Sequence, residues 1–225
     1  MNLSRRSLQQ ERMDTDCADF DDYRRCLRDL SRVNVVTMTH RPMLSWLAKR
    51  AKGDFSLLDV ACGHGDALRK IRQRFPHAKL TGIDLNPWAT RAATEATDPA
   101  AHIEFINGDA FAYRPGRKPD FIITSQFTHH LTDDQVVAFL RWVQGNAAQG
   151  WFISDIHRHA IAYYGFPILA RLAFWHRLVR EDGRISVARA FIRAEWQAML
   201  LQAGITEQQA LVAWYIPFRL CVATV

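Results

Sequence analysis

Between residues 55 and 155, short apolar runs alternate with amphipathic stretches, the spacing of a parallel sheet whose two faces are both covered by helices. The apolar runs predict strands at 55–61, 79–84, 103–107, 121–125 and 151–155. Between the first two lies a helix with Leu68, Ile71 and Phe75 on one face, ending before Pro76. Another starts after Thr132, which with Gln135 spells a capping box, turns Val136, Val137, Leu140 and Val143 inward, and runs to about residue 148. Further on, 191–203 reads as a helix stopped by Gly204, and 210–215 and 218–223 as two strands around Pro217. The result is a seven-stranded, mostly parallel α/β sheet with helices on both faces. Two regions stand outside the repeating unit: 1–52, which reads as two or three helices, and 157–190, an aromatic-rich insertion after the fifth strand.

Composition narrows the class. A chain of 225 residues, 48% hydrophobic, supports one domain with a sizeable core, here 53–225, plus the helical segment 1–52. No apolar run approaches the roughly 20 residues of a membrane span. The first residues are polar, with Arg5, Arg6 and Arg12, and lack a secretory core, so a soluble, cytoplasmic protein is expected. Cys17, Cys26, Cys62 and Cys221 are scattered, as reduced thiols are, without disulfide or metal-knuckle spacing. The net charge of +6 is spread along the chain, and Arg69, Lys70, Arg72 and Arg74 read as a solvated helix face, which argues against a nucleic-acid surface.

The chemistry concentrates where the strands end. The first strand runs through Asp59 into Ala61, Cys62, Gly63, His64 and Gly65 and then a helix, which brings backbone N–H groups close to a ligand at the sheet's carboxyl edge. A nicotinamide fingerprint would need a third glycine where Leu68 stands. An acid just before the glycines suits a ligand with a cationic amine and no pyrophosphate. Asp84 closes the second strand, where a carboxylate can accept both hydroxyls of a ribose. Asp109 follows the third, close to the expected adenine edge.

With these motifs, Asp59 to Gly65, then Gly82, Ile83, Asp84, Leu85, then Gly108, Asp109, Ala110, the chain resembles the class I S-adenosylmethionine-dependent methyltransferases, whose fold is Rossmann-like. The resemblance implies that Gly63 and Gly65 lie along the cofactor, Asp84 binds its ribose and Leu85 covers one adenine face. It implies that Asp109 and the backbone of Ala110 read the adenine amine, and that the backbone at Ser125 or Gln126 meets the methionine end. Ala61 stands where the family often has glycine, a tolerated change. The N-terminal helices, with Tyr23, Met38, His40 and Arg41, are expected to close over the cofactor as a lid, Arg41 pairing with the methionine carboxylate.

Methyl transfer requires an acceptor aligned with the sulfonium methyl and, for a phenol, a base. His129 and His130 follow the fourth strand; His157 and His159, with Asp155 and Arg158, follow the fifth. His130, His157 and His159 are the candidate bases, the alternative for each being a structural bond to the backbone. A metal site from His130, Asp155 and His157 has no spacing signature, and none is expected. Tyr163, Tyr164, Phe166, Phe174, Trp175 and His176 make 157–190 the expected pocket for an aromatic or lipid-like substrate, although 168–178 also reads as a core helix. The stretches 127–131, 155–159 and 183–191 are similar to bacterial methyltransferases of polyketide and phenolic-lipid biosynthesis. That implies a small phenolic, quinone-like or polyketide acceptor, with O-methylation ahead of C-methylation. Ser125, Gln126, Phe127 and Thr128 stand where base methyltransferases carry an acid or amide, two prolines and an aromatic, so base amines are disfavoured. An RNA ribose or protein acceptor, a non-catalytic binding module and a nicotinamide enzyme are the other readings.

Overall fold

The computed structural model describes residues 3–114 and 116–225; residues 1, 2 and 115 lie outside it. One seven-stranded sheet runs in the order β3 (Ile103–Asn107), β2 (Lys79–Asp84), β1 (Ser56–Val60), β4 (Phe121–Ser125), β5 (Gly150–Ile156), β7 (Arg219–Thr224), β6 (Ala210–Tyr215). The first five are parallel; β7 runs antiparallel to β5 and β6 to β7. The order reverses between β1 and β4, and a parallel sheet opens its ligand crevice at that point, outside the carboxyl ends of the strands.

Helices cover both faces. On one, α5 (Asp133–Asn146) and α8 (Arg193–Ala203) bury Phe139, Leu140, Trp196 and Met199 against Val60, Ile122 and Ile153. On the other, α2 (Arg41–Arg50) and α3 (Asp66–Arg74) bury Trp46, Leu47, Leu68 and Ile71 against Leu57, Phe121 and Phe152. Both sides of the Thr132–Gln135 capping box form, and Gly204 ends α8 in the left-handed region. Hydrophobic period does not flag α4 (Pro87–Glu95): its inward positions are Ala89, Thr90, Ala92 and Ala93, so it packs close without large side chains. The insertion is a pair of packed helices, α6 (Ala160–Leu172) and α7 (Arg177–Arg189). Phe174, at φ 53°, breaks the stretch 168–178 in its middle, so that stretch is no single core helix.

The N-terminal segment is tied to the sheet's carboxyl edge by buried polar groups. Asp155, fully buried at the end of β5, accepts bonds from the Thr128 hydroxyl, the His129 N–H (2.9 Å) and His129 Nδ1 (2.7 Å). The other ring nitrogen of His129 lies 3.2 Å from Glu11, which also accepts from Ser186 of α7 at 2.7 Å. Burial alone would depress His129, but Asp155 and Glu11 on either side outweigh it and hold the imidazole protonated at neutral pH. Arg189 donates to the carbonyls of Gln9, His129 and His130, and Arg6 to those of His129, Leu131 and Arg189. Asp182 accepts the N–H groups of Arg12 and Met13. Ahead of α1 (Phe20–Val36), the chain is therefore docked on α7 and on the 3-10 turn Thr128–His130.

His129→Ala leaves Asp155 and Glu11 buried without their shared cation and is expected to cost about 3–5 kcal/mol of unfolding free energy in urea titration. In β2, a Cβ on Gly82 would lie 2.8 Å from both Cys62 Sγ and Leu68 Cδ1. Gly82→Val should therefore force the first loop off the sheet, costing roughly 1–3 kcal/mol by the same measurement.

Candidate active site

A cavity of about 650 Å³ opens at the switch point, over the ends of β1, β2 and β4. Its floor is the turn from Val60 into α3. Ala61, Gly63 and Gly65 all take left-handed backbone conformations there (φ 56°, 52° and 73°), which sharpens the turn and points N–H groups toward the second strand. Gly63 donates to Asp84 Oδ2 at 2.9 Å. A Cβ on Gly63 would meet nothing within 4 Å, and the residue lines the cavity, so its open side is room for a ligand. Gly65 does different work: its Cβ position is filled by the Phe105 ring at 2.7 Å, and it serves helix packing outside the lining. Ala61 keeps its methyl in a conformation that favours glycine.

Three acids converge on this turn. Burial, then the charges of Asp66 and Asp84, push Asp59 well above the usual carboxylate range. Burial also raises Asp84, although the N–H groups of Asn86 and Gly63 pull it back. Asp66 is held below its ordinary value despite burial, because His40 Nε2 at 2.7 Å and Asn34 Nδ2 at 3.0 Å stabilise its charge. A desolvated carboxylate beside two others favours a cation in contact with it, and the cationic amine and sulfonium of S-adenosylmethionine match that demand. Leu85, Asp109 and Ala110 line the same cavity, Leu85 three-quarters exposed and Asp109 with one oxygen engaged by the Phe111 N–H at 2.9 Å. Gln126, left-handed at φ 55°, lines it from β4, its amide bonded to Asn34.

Of the candidate bases, only His130 reaches the cavity. Burial, and then the cation of His129 whose ring lies 4.4 Å away, depress it to about 4, so it is neutral at pH 7; its Nε2 lies 3.8 Å from Glu11. His159 caps α6, accepting from the Ile161 N–H at 3.2 Å, with its ring stacked on Phe218. His157 bridges Phe191 and donates its N–H to the Phe218 carbonyl. Neither lines this cavity or the one beside it, because the backbone bridge to Phe191 holds His157 and the cap of α6 holds His159. Arg41 is exposed at the start of α2, and its neighbour His40 turns inward instead, to Asp66. Glu11, His129 and His130 lie close enough for one metal ion, but an imidazolium offers no lone pair, and a metal would have to displace the His129 proton.

Sequence reasoning named Tyr23 for the lid but missed Leu27, Ser31 and Asn34, which continue it along α1 and line the cavity at helical spacing; Ser31 bonds His64 at 2.9 Å. The signal was there, two polar residues on an otherwise apolar face. It also missed Glu11, which nothing local distinguishes. Beside this cavity, and sharing Glu11, Met13, Leu30, Gln126 and Ser186 with it, lies a second of about 270 Å³, walled by Ile161, Phe166 and Leu169 of α6, Val179 and Val187 of α7, and Phe218 and Arg219.

Residues 57–150 match the methyltransferase domain family. In sequence the chain is similar to malonyl-[acyl-carrier protein] O-methyltransferase 1 of Ilyobacter polytropus (34% identity, covering 40% of this chain and 33% of that one). It is also similar to acetylserotonin O-methyltransferase 3 of Oryza sativa subsp. japonica (34% identity, 40% and 23%), so the match spans a third or less of these relatives' lengths. In fold it resembles the plantazolicin methyltransferase BpumL bound to S-adenosylhomocysteine (TM-score 0.67, 14% identity, 95% of this chain and 92% of that one). Human N-acetylserotonin methyltransferase bound to S-adenosylmethionine is a second such structure (TM-score 0.65, 16% identity, 92% and 56%). Residues 57–150 thus match a methyltransferase domain, and the seven-stranded sheet around them has the fold of methyltransferases solved with S-adenosylmethionine or S-adenosylhomocysteine bound.

Proposed function

We propose that this chain transfers a methyl group from S-adenosylmethionine to an oxygen of a small phenolic, quinone-like or polyketide acceptor, with His130 taking the acceptor's proton. The observation that carries the reading is the desolvated Asp59 beside the open side of Gly63, in a cavity that adjoins a second, apolar one. The cofactor, when bound, supplies an electrophilic methyl group on a cationic sulfur. Asp59 and Asp84 offset that positive charge, Gly63 leaves the space, and Leu85, Asp109 and Ala110 form the wall for the base. His130 is neutral and can accept a proton, and Glu11 beside its Nε2 stabilises the imidazolium that results. Apolar walls and a volume near 270 Å³ suit a ring or short chain better than an RNA ribose or a protein surface. The O-methyltransferases among its relatives support oxygen over carbon. In this reading residues 1–52 act as the lid, since the α1 stripe faces the cofactor cavity, and 157–190 form the acceptor wall.

Incubation with S-adenosylmethionine and a panel of phenols should give a product heavier by one CH₂ in mass spectrometry, and S-adenosylmethionine rather than NAD should raise the Tm. A Tm that responds to NAD alone overturns the reading. Asp59→Asn is expected to weaken S-adenosylmethionine binding by roughly ten- to a hundredfold in calorimetry, the worth of one charge-assisted contact. His130→Ala should lower kcat by about a hundredfold while leaving cofactor affinity nearly unchanged. Because the pKa of His130 is depressed to about 4, its basic form persists as pH falls below the ordinary histidine value and is lost only near pH 4. The kcat/KM of the native chain should therefore stay level from pH 8 to about pH 5, whereas an unshifted histidine would halve it near pH 6.5.

A further inference from the structure

Arg219, the first residue of β7, lies at the wall of the second cavity and is only 4% exposed. One of its terminal nitrogens donates to the hydroxyls of Thr39 (2.6 Å) and Thr37 (3.3 Å). The other terminal nitrogen and Nε are buried with no hydrogen-bond partner, and no carboxylate pairs with the guanidinium among the described residues. The nearest acid, Asp155, is already engaged by Thr128, His129 and the Ile156 N–H. The other two buried arginines are treated differently. Arg158 meets Glu195 at 2.6 and 3.0 Å and two carbonyls, and Arg189 spends all three nitrogens on carbonyls.

A guanidinium stays charged in a protein, and a buried charge without a counter-charge is costly to keep. Burial lowers the pKa of Arg219, which is the direction an unanswered cation takes. The residue that carries the unpaired nitrogens lines a largely apolar chamber, so an anion seated there would lie beside the guanidinium. Around it the chamber offers Ile161, Phe166 and Leu169 on one side and Phe218 on another, with Gln126 and Glu11 at the border with the cofactor cavity. The facing acids, Glu11 and Asp182, are both committed, Glu11 to His129 and Ser186, Asp182 to the N–H groups of Arg12 and Met13.

We propose that Arg219 anchors a carboxylate of the acceptor, so that the molecule methylated is a hydroxylated aromatic or short-chain acid, its apolar body in the second cavity and its hydroxyl directed across Gln126 toward His130. This deepens the methyltransferase reading and rests on it for the direction of the hydroxyl, but not for the carboxylate contact. Arg219 binds and positions; it does not take part in the transfer.

The test is calorimetric binding of 6-hydroxy-2-naphthoic acid, whose hydroxyl and carboxylate lie at opposite ends of the ring system, and of its carboxamide, with S-adenosylhomocysteine present and absent. The native chain should bind the acid at least tenfold more tightly than the amide, and Arg219→Gln should abolish that preference with little change in affinity for the amide or in the Tm rise given by S-adenosylhomocysteine. Arg219→Lys, which keeps the charge if the glutamine variant does not fold, should retain a reduced preference. Equal binding of acid and amide by the native chain, or an undiminished preference in Arg219→Gln or Arg219→Lys, overturns the proposal. A chain that prefers the acid through Arg219 but does not respond to S-adenosylhomocysteine keeps the anchor and overturns the methyltransferase reading instead, so the two fail separately.

Discussion

The carboxylate of Asp155 organises everything around the ligand edge. It ends β5 without solvent, and its oxygens are occupied by the hydroxyl of Thr128, the backbone and ring of His129 and the N–H of Ile156. Those bonds fix the 3-10 turn after β4, and the turn fixes His130. They also set the charge of His129, and that charge holds Glu11 and, through Glu11, the N-terminal segment and Ser186 of α7. One imidazolium between two carboxylates leaves a buried excess of negative charge. Arg189 and Arg6 stand around it, their donors aimed at the carbonyls of the same turn. The protonation of His129 has a consequence one residue on, since a cation 4.4 Å away helps to keep His130 neutral.

The two cavities differ in the charges at their walls. At the glycine turn Asp59, Asp66 and Asp84 converge with one another, and the compensating groups, His40 and Asn34, reach only Asp66. The second cavity has the buried guanidinium of Arg219 at its wall, and the neutral imidazole of His130 stands in the first. For a cationic cofactor and the anionic acceptor proposed above, a swapped placement would bury the cation beside Arg219 and the anion among the acids of the glycine turn.

Most of the sheet was legible because its strands are short apolar runs between turn residues: β2, β3 and β4 fall where the pattern put them, and β1, β5 and β7 differ by a residue or two at their ends. The helix α4 was not, because its inward alanines carry no amphipathic signal. Asp59, Asp84 and Asp109, at the first cavity, were legible because each sits at a strand end beside small residues. His157 and His159 share that sign and yet serve the backbone, since β5 leads into a bridge to Phe191 and then the cap of α6. Glu11 and Arg219 lie far in sequence from the motifs they adjoin. Only the antiparallel return of β7 beside β5, and the docking of the N-terminal segment on α7, bring them to the cavities.

Three of the six left-handed non-glycine residues among the described residues lie along the same edge. Ala61 after β1, Gln126 after β4 and Phe218 before β7 are all left-handed without being glycine, at φ 56°, 55° and 50°. Such a conformation costs about 1–2 kcal/mol per residue, and here it falls at the ligand ends of three strands of one sheet. Each bend turns the chain sharply at a cavity wall. Ala61 starts the turn that exposes the open side of Gly63, Gln126 leads its amide to Asn34 of α1, and Phe218 sets its ring against His159 while Arg219 enters the sheet. Strain that recurs where strands meet cavities is the mark of a site held in shape before its ligands arrive.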